Sequence, residues 1–483
     1  MRKLLLVGLL AFAVALAGTA YAEVQNIKVG GDIDLKAIST HNYDLKEKNL
    51  NVPGGGAAFQ GGAVTNDDNS SFFLSTVRVT VDADLTDNVS AHVRLLNQRI
   101  WDAAISATDQ INIDNAYVVL KEFLYSPLTV MVGRQDLNYG TGFIVGPGLL
   151  ADPNGAFSTV ATGSQGQIGQ EHSAYNSYDA IRMILDFAPV TIEGLIAKIN
   201  ETGVSTDDQD LYGVIVNYKV GDEWNSELEP YWFHKNDESA ALSFFDSIGT
   251  TTYDVNRVHT IGLRIASSPV QNLKLNLEGA GQFGELEERT LQLERDREAY
   301  AALIEAHYTW ADCSWTPTTG FGWVFFSGDE GVNPNTPQAN QQQVDDVESW
   351  DQMYRGSFFT YINEFFAGFG GTNLYTTFDT TDTASNTNRH LFYGDLSFMP
   401  MEDITVWARY SHIRFDEEPI QGRSSHAGDE LDMKVVYAYT EDVDLGLGAG
   451  WFIPGQYYED APNSNVRGDD LAYTVVGSAS VKF

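Results

Sequence analysis

The chain has 483 residues, 66 acidic against 29 basic side chains, a single cysteine, 44 glycines and 12% aromatics. One cysteine excludes a disulfide framework, and a formal charge of −37 is the opposite of the basic excess carried by nucleic-acid binders. With 43% hydrophobic residues, including 23 tyrosines, 26 phenylalanines and 9 tryptophans, the bulk of the chain is folded and not a solvated polymer.

Arg2 and Lys3 precede an apolar run from Leu4 to Ala17, which ends in the small-x-small triplet Ala20, Tyr21, Ala22. That is the layout of a signal peptide over 1–22, with cleavage expected after Ala22. A membrane anchor is the alternative, but the run falls short of the ~20 residues that cross a bilayer. Residues 23–483 show no linker or composition shift and read as one domain. They hold no uninterrupted apolar segment of helical spanning length, so a membrane crossing here requires a closed barrel.

Strand periodicity begins at Ile27, where Ile27, Val29, Ile33, Leu35 and Ala37 alternate with Lys28, Asp32, Asp34 and Lys36. It recurs over Val77 to Leu85, Val89 to Leu95, Ile181 to Phe187, Tyr212 to Val220, Val258 to Ala266 and Leu273 to Leu277. It continues over Leu431 to Tyr439, Val443 to Ile453 and Leu471 to Phe483. Between these lie Gly-, Asn-, Asp-, Ser- and Thr-rich stretches, as over 65–71, 202–210, 328–346 and 380–388, which punctuate strands.

A soluble β protein and a transmembrane barrel both alternate in this way. Charged residues in the middle of strand after strand, with no domain break, favour an all-β transmembrane antiparallel barrel whose charges face a water-filled lumen. Tyr231, Trp232, Phe233, Trp451, Phe452, Tyr457 and Tyr458 are expected to belong to aromatic girdles at the membrane interfaces. The last strand, with Leu471, Tyr473, Val475, Ala479 and Val481 in one register and Phe483 at the end, resembles the terminal assembly signature of bacterial outer-membrane barrels.

Five islands in order sharpen the reading: VGRQDLNYG at 132–140, YDAIRMILDF at 178–187, FFSGDE at 325–330, GDELDMKVVYAY at 428–439 and GWFIPGQYY at 450–458. The set resembles the alginate export porin family of Gram-negative outer-membrane β-barrels. The resemblance implies a monomeric barrel of roughly 18 strands, within the range such barrels adopt. It also implies an arginine-rich constriction that guides an anionic polysaccharide such as alginate, and a loop near Gly140 to Tyr178 that enters or caps the channel. An ordinary extracellular loop is the alternative for that stretch.

With the apolar register turned to lipid, the lumen collects Arg78, Arg94, Arg182, Arg264, Arg409 and Lys434 together with Asp82, Asp84, Asp186, Glu278 and Asp432. The islands add Arg134, Asp179 and Glu430 to these pore-lining candidates. Arginine suits carboxylates because its planar fork binds two oxygens. The bland reading of each arginine is a salt bridge that stiffens the wall. The overall negative charge opposes a polyanion unless acids such as Asp67, Asp68, Asp207, Asp208, Asp210, Asp345, Asp346, Asp469 and Asp470 sit in loops, beyond a Debye length of about 8 Å. A general porin for small or cationic solutes, a sheath around a periplasmic export partner and a loop-borne adhesin are therefore the competing readings.

No enzyme is expected, since the nine histidines show no HExxH spacing and there is no GxSxG elbow. His412 and His426 flank an expected loop, and Cys313 reads as an inert thiol. No cofactor is expected either; Ca²⁺ at the acidic loops is the one candidate, although none matches an EF-hand loop. The expected partners are outer-membrane lipid and the transported solute, with no nucleic acid.

Overall fold

The computed structural model describes residues 26–42, 45, 70–101, 111–146, 177–200, 208–240, 254–288, 293–329, 346–364, 387–418, 422–459 and 470–483. The leader over 1–22 lies outside the described residues. Eighteen antiparallel strands follow one another around a closed sheet. They are β1 (Asn26–His41), β2 (Ser70–Thr86), β3 (Val89–Ile100), β4 (Asn112–Leu120), β5 (Leu128–Asp136), β6 (Ser177–Asp186), β7 (Val190–Asn200), β8 (Gln209–Lys219) and β9 (Glu227–Ala240). The second half comprises β10 (Asp254–Ser267), β11 (Leu273–Glu288), β12 (Leu293–Thr309), β13 (Thr318–Phe326), β14 (Arg389–Met401), β15 (Ile404–Arg414), β16 (His426–Thr440), β17 (Val443–Pro454) and β18 (Ala472–Lys482). A single helical turn, α1 (Gln456–Glu459), follows β17.

Closure is made by β1, which pairs with β2 on one side and β18 on the other, Ile38 standing opposite both Phe72 and Val476. Phe483 completes the seam by exchanging backbone hydrogen bonds with Gly31, at 2.9 and 3.0 Å. No sheet edge is left open, which is the condition for strands to stand in hydrocarbon. The connections alternate in length: residues 87–88, 187–189, 402–403 and 441–442 make turns at one end, while 137–176 and 327–388 are long connections at the other. In outer-membrane barrels the short turns are periplasmic and the long loops extracellular.

Side chains alternate across the wall with the strand period. Val29, Val93, Ile181, Ile261 and Leu447 are exposed on the outer face, whereas Leu195, Phe233, Val258, Leu303, Leu391 and Phe452 are buried inside. Ladder partners share a face, so Tyr231, Phe233 and Phe452 point inward and do not belong to a girdle as expected, while Trp232 between them points outward. Tyr457 and Tyr458 are buried in α1. At the short-turn end, exposed aromatics include Phe123, Tyr125, Phe187, Trp224, Trp310, Trp315 and Tyr439. Alternation is weak over most of β12 because its inward positions run Arg295, Arg297, Ala299, Ala301, Leu303, and the stretch EAYAALIEA lacks β-branched residues apart from one isoleucine.

Ile261 stands outward near the middle of β10. Ile261→Arg is expected to cost about 2–4 kcal/mol of barrel stability, whereas the inward, exposed Asp84→Asn should cost about 0.5 kcal/mol or less. Urea-dependent folding into lipid vesicles measures both, and equal costs would be incompatible with the assigned faces.

Candidate functional site in the barrel interior

The register places Arg78, Arg94, Arg182, Arg264, Arg409 and Lys434, with Glu430 and Asp432, on the inward face. Arg264 stands opposite Glu229 and Glu278, Arg409 opposite Asp395 and Asp432, and Arg78 opposite Asp32. Arg134 and Asp179 do not share that face. They are ladder partners whose strand neighbours Val132 and Ile181 are exposed to the outside, and they form a 3.7 Å ion pair near the long-loop end. The inward place at that level belongs to Gln135 and Tyr178, which are buried. An island of sequence without apolar neighbours on both sides of the arginine does not reveal which way it points.

Two connections fold into the barrel. Residues 137–146 follow β5 with Leu137, Phe143, Ile144 and Val145 buried against the inner wall. Residues 346–364 lie between β13 and β14 and bury Trp350, Met353, Tyr354, Phe359 and Ile362. The two segments bond to each other, Gly146 N–H donating to Tyr354 O at 2.9 Å and Gly356 N–H to Gly142 O at 2.8 Å. Gly140 allows the first crossing: its φ is +56°, and an added Cβ would lie 2.7 Å from Cδ of Arg264. Of the 141–177 stretch, residues 141–146 and Ser177, the first residue of β6, fall within the described residues.

The second segment is held from both sides. On one side, Asp351 accepts hydrogen bonds from Lys235 at 3.0 Å and Asn256 at 2.8 Å, while its own backbone is gripped at N–H and C=O by the amide of Gln282. On the other side, Glu430 accepts three successive backbone N–H groups, from Tyr361 and Ile362 at 2.7 Å and Asn363 at 2.9 Å. Within the segment, Glu364 pairs with the fully buried Arg355 at 2.9 Å. Arg409 donates to Phe359 O at 3.2 Å with its guanidinium 3.9 Å from the Tyr393 ring centre. Burial alone would push the Asp351 carboxyl up, but Lys235 and Arg297 outweigh it and hold it down at about 2. The segment is thus a strap of backbone pinned across the lumen by buried charge.

The inward arginines expected from the sequence each have an acid within reach, whereas Arg297 and Arg389, also inward, donate to Ser349 O and Asn256 and to Asn363. Arg78 meets Asp32 at 2.9 Å; Arg94 meets Asp114 and, at 2.9 Å, Asp136; Arg182 grips Glu193 with two bonds, at 2.6 and 2.9 Å. Arg264 donates to Asn276 at 2.9 Å and reaches Glu227 at 3.8 Å, and Arg409 meets Asp395 at 2.9 Å. Lys434 is exposed on the inward face. From β7 to β15 this forms a band in which Glu193, Glu229, Glu278, Glu305 and Asp395 stand among Arg182, Arg264, Arg409 and His307. On the wall from β1 to β2, away from the strap, Asp34 and Lys36 keep 25% of their side chains accessible and Arg78 keeps 26%. Among the expected loop acids, Asp208 and Asp210 lie 3.7 and 2.9 Å from Lys198; Asp67, Asp68, Asp207, Asp345 and Asp469 lie outside the described residues.

Sequence reasoning missed the strap. Its signal was present in SWDQMYRGSFFTYINEFF over 349–366, rich in aromatics and without strand alternation, between two polar stretches.

A closed barrel with an apolar exterior, a charged interior and inward-folded loops is an outer-membrane channel of the porin type. More narrowly, the chain belongs to the alginate export family, whose sequence model matches residues 57–468. The fold resembles a BenF-like porin from Pseudomonas fluorescens Pf-5, with a TM-score of 0.53, 9% identity, and coverage of 95% of this chain and 100% of that one. It also resembles OccK11 (OpdR) of Pseudomonas aeruginosa, at TM-score 0.51 and 9% identity over 94% and 96% of the two chains. OccK2 (OpdF) of the same organism gives 0.51 and 12% over 94% and 98%. No curated protein matches in sequence.

Asp351 has a depressed pKa, so its contribution to holding the strap is complete above the ordinary carboxylate value and is lost as pH falls from about 4 through about 2. Asp351→Ala strands Lys235 and Arg297 in a buried site and should weaken docking by about 3–5 kcal/mol. Protease cleavage within 346–364 and noise in single-channel current are expected to rise in this variant at neutral pH; a quiet, protease-resistant variant would contradict the anchoring role.

Proposed function

We propose that the barrel is a passive diffusion channel, without bond chemistry, whose interior favours small cationic or polar solutes over a polyanion. The observation that carries this reading is the acid-rich band: Glu193, Glu227, Glu229, Glu278, Glu305 and Asp395 outnumber Arg182, Arg264, Arg409 and Lys274, with His307 among them, and the three arginines already hold carboxylate or amide oxygens. A uronate entering the band must displace a tethered carboxylate or amide oxygen from each arginine before it gains a bond, whereas the surplus carboxylates, several of them largely buried in the wall, favour a cation through the field they set in the lumen. Acidic rings favour cations in this way. Arg78, Arg94, Arg182, Arg264 and Arg409 act, on this reading, as wall-stiffening partners that set the local potential. Lys434, exposed on the inward face of β16, stands opposite Trp407 and Gly448.

A second reading, export of an alginate-like polyuronate, is favoured by the family match over 57–468. In that case paired arginines exchange their wall carboxylates for those of the polymer, and one solute unit replaces the next.

Planar-bilayer reversal potentials in a KCl gradient and liposome uptake of oligouronates, neutral sugars and small cations separate the two. Cation preference is expected. Glu229→Gln or Glu305→Gln should weaken it, and Arg264→Ala should strengthen it, each by about 1 kcal/mol for a unit charge at ~4 Å from the ion in water-like surroundings. Anion preference that falls on Arg264→Ala, with uptake of oligouronates ahead of neutral sugars, would overturn the first reading in favour of the second.

A further inference from the structure

On the outer face, at the long-loop end of β15 and β16, two histidines and an aspartate converge. His412 stands opposite Asp429 in the ladder, and its other partner, Phe392, is exposed outward, which fixes the face. In a regular strand His426 and Asp429, three residues apart, would point to opposite sides. Here the ladder skips Ala427: Ile413 pairs with Gly428 and Arg414 with His426. Gly428 adopts φ +152°, and a Cβ there would run into the carbonyl oxygen of Ile453 and the ring of Phe452. This bulge turns His426 to the same side as Asp429 and His412. Bulges that re-aim one side chain recur beside functional sites.

His412 Nδ1 lies 2.8 Å from Asp429 Oδ1, and His426 Nε2 lies 3.3 Å from Asp429 Oδ2. The imidazoles stack with centres 4.9 Å apart, and all three donor atoms fall within 4.8 Å of one another. Tyr410 O–H donates to Asp429 at 2.6 Å and orients the carboxylate. His426 Nε2 is buried and makes no hydrogen bond despite its closeness to the carboxylate. For metal–ligand bonds of about 2.0–2.1 Å, the edge of a tetrahedron is about 3.3–3.4 Å. His412 and His426 approach different oxygens of Asp429, so an ion held by one donor from each residue needs the rings to turn toward it from a set that already lies within 4.8 Å.

We propose that His412, His426 and Asp429 form a site for a first-row divalent transition ion such as Zn²⁺, with a fourth position open to water, on the outward rim of the barrel. Two imidazole nitrogens and one carboxylate suit zinc, copper or nickel, whereas Ca²⁺ takes six to eight oxygens. The ion would tie β15 to β16 at the base of the connection spanning 415–425. The competing description is an imidazolium–carboxylate pair with no metal, and it differs in what it binds.

The test uses the full mature-length chain, refolded metal-free in detergent and checked by heat-modifiable gel mobility. Calorimetric titration with Zn²⁺ is expected to show one saturable site per chain, and Co²⁺ to give the absorption of a nitrogen-ligated tetrahedral centre. His412→Ala, His426→Ala and Asp429→Asn should each lower affinity at least tenfold. His390→Ala, which alters another outward histidine bonded to Asp416, should leave it unchanged. Binding should weaken on acidification, because protons compete with the metal for the imidazole nitrogens. No saturable Zn²⁺ site on the folded barrel, or a site indifferent to all three substitutions, would overturn the proposal. Should a variant not fold, the Co²⁺ spectrum of the unsubstituted chain decides alone: an octahedral, oxygen-ligated spectrum also overturns it.

Discussion

Everything in this molecule depends on the pairing of β1 with β18. In hydrocarbon a backbone N–H or C=O without a partner costs several kcal/mol, so a sheet of this size is stable there only if its two ends meet. The seam runs from Asp32 opposite Lys482 to His41 opposite Tyr473, and the terminal Phe483 extends it by bonding to Gly31. Once the ring is closed, strand alternation has only one meaning, with one face in lipid and the other around water.

The interior is not an empty tube lined with free charge. Nearly every inward arginine described above holds an oxygen of a neighbouring strand, and the strap over 346–364 uses the same chemistry to cross the lumen. Its pins are complementary: at Asp351 the strap supplies the anion and the wall supplies Lys235 and Arg297, whereas at Glu430 the wall supplies the anion and the strap supplies three backbone donors. A backbone segment in a water-accessible lumen needs its N–H groups satisfied, and a carboxylate that accepts several at once does this while adding a charge-assisted bond. The arrangement lets a loop narrow the channel with no more regular structure, among its described residues, than isolated bridges at Val347 and Tyr354 and a 3-10 turn at 363–364.

Charge on the outer face follows a different rule. Arg134 with Asp179 and Lys198 with Asp210 sit outward near the long-loop end, each cation beside an anion. Neutralised pairs are the form in which charge is tolerated at a membrane boundary, where full hydration is not available. The His412, His426 and Asp429 cluster lies in the same zone. There a bulge at Gly428, and not strand periodicity, decides which side chains meet.

The sequence by itself determined the architecture. Alternation such as Ile27 to Ala37 or Val77 to Leu85 is a local property, because successive side chains leave a strand on opposite sides whatever the strand pairs with. It also gave the inward sense of Arg78, Arg94, Arg182, Arg264 and Arg409, each flanked by apolar residues on both sides. It did not give the direction of Arg134 and Asp179, the burial of Tyr231 and Phe233, the strap over 346–364, or the acid partner of any arginine. Those depend on register between strands far apart in the chain, and on which loops turn back into the lumen. Only the tertiary structure decides such matters, since a one-residue slip in pairing reverses every face while leaving the local pattern unchanged.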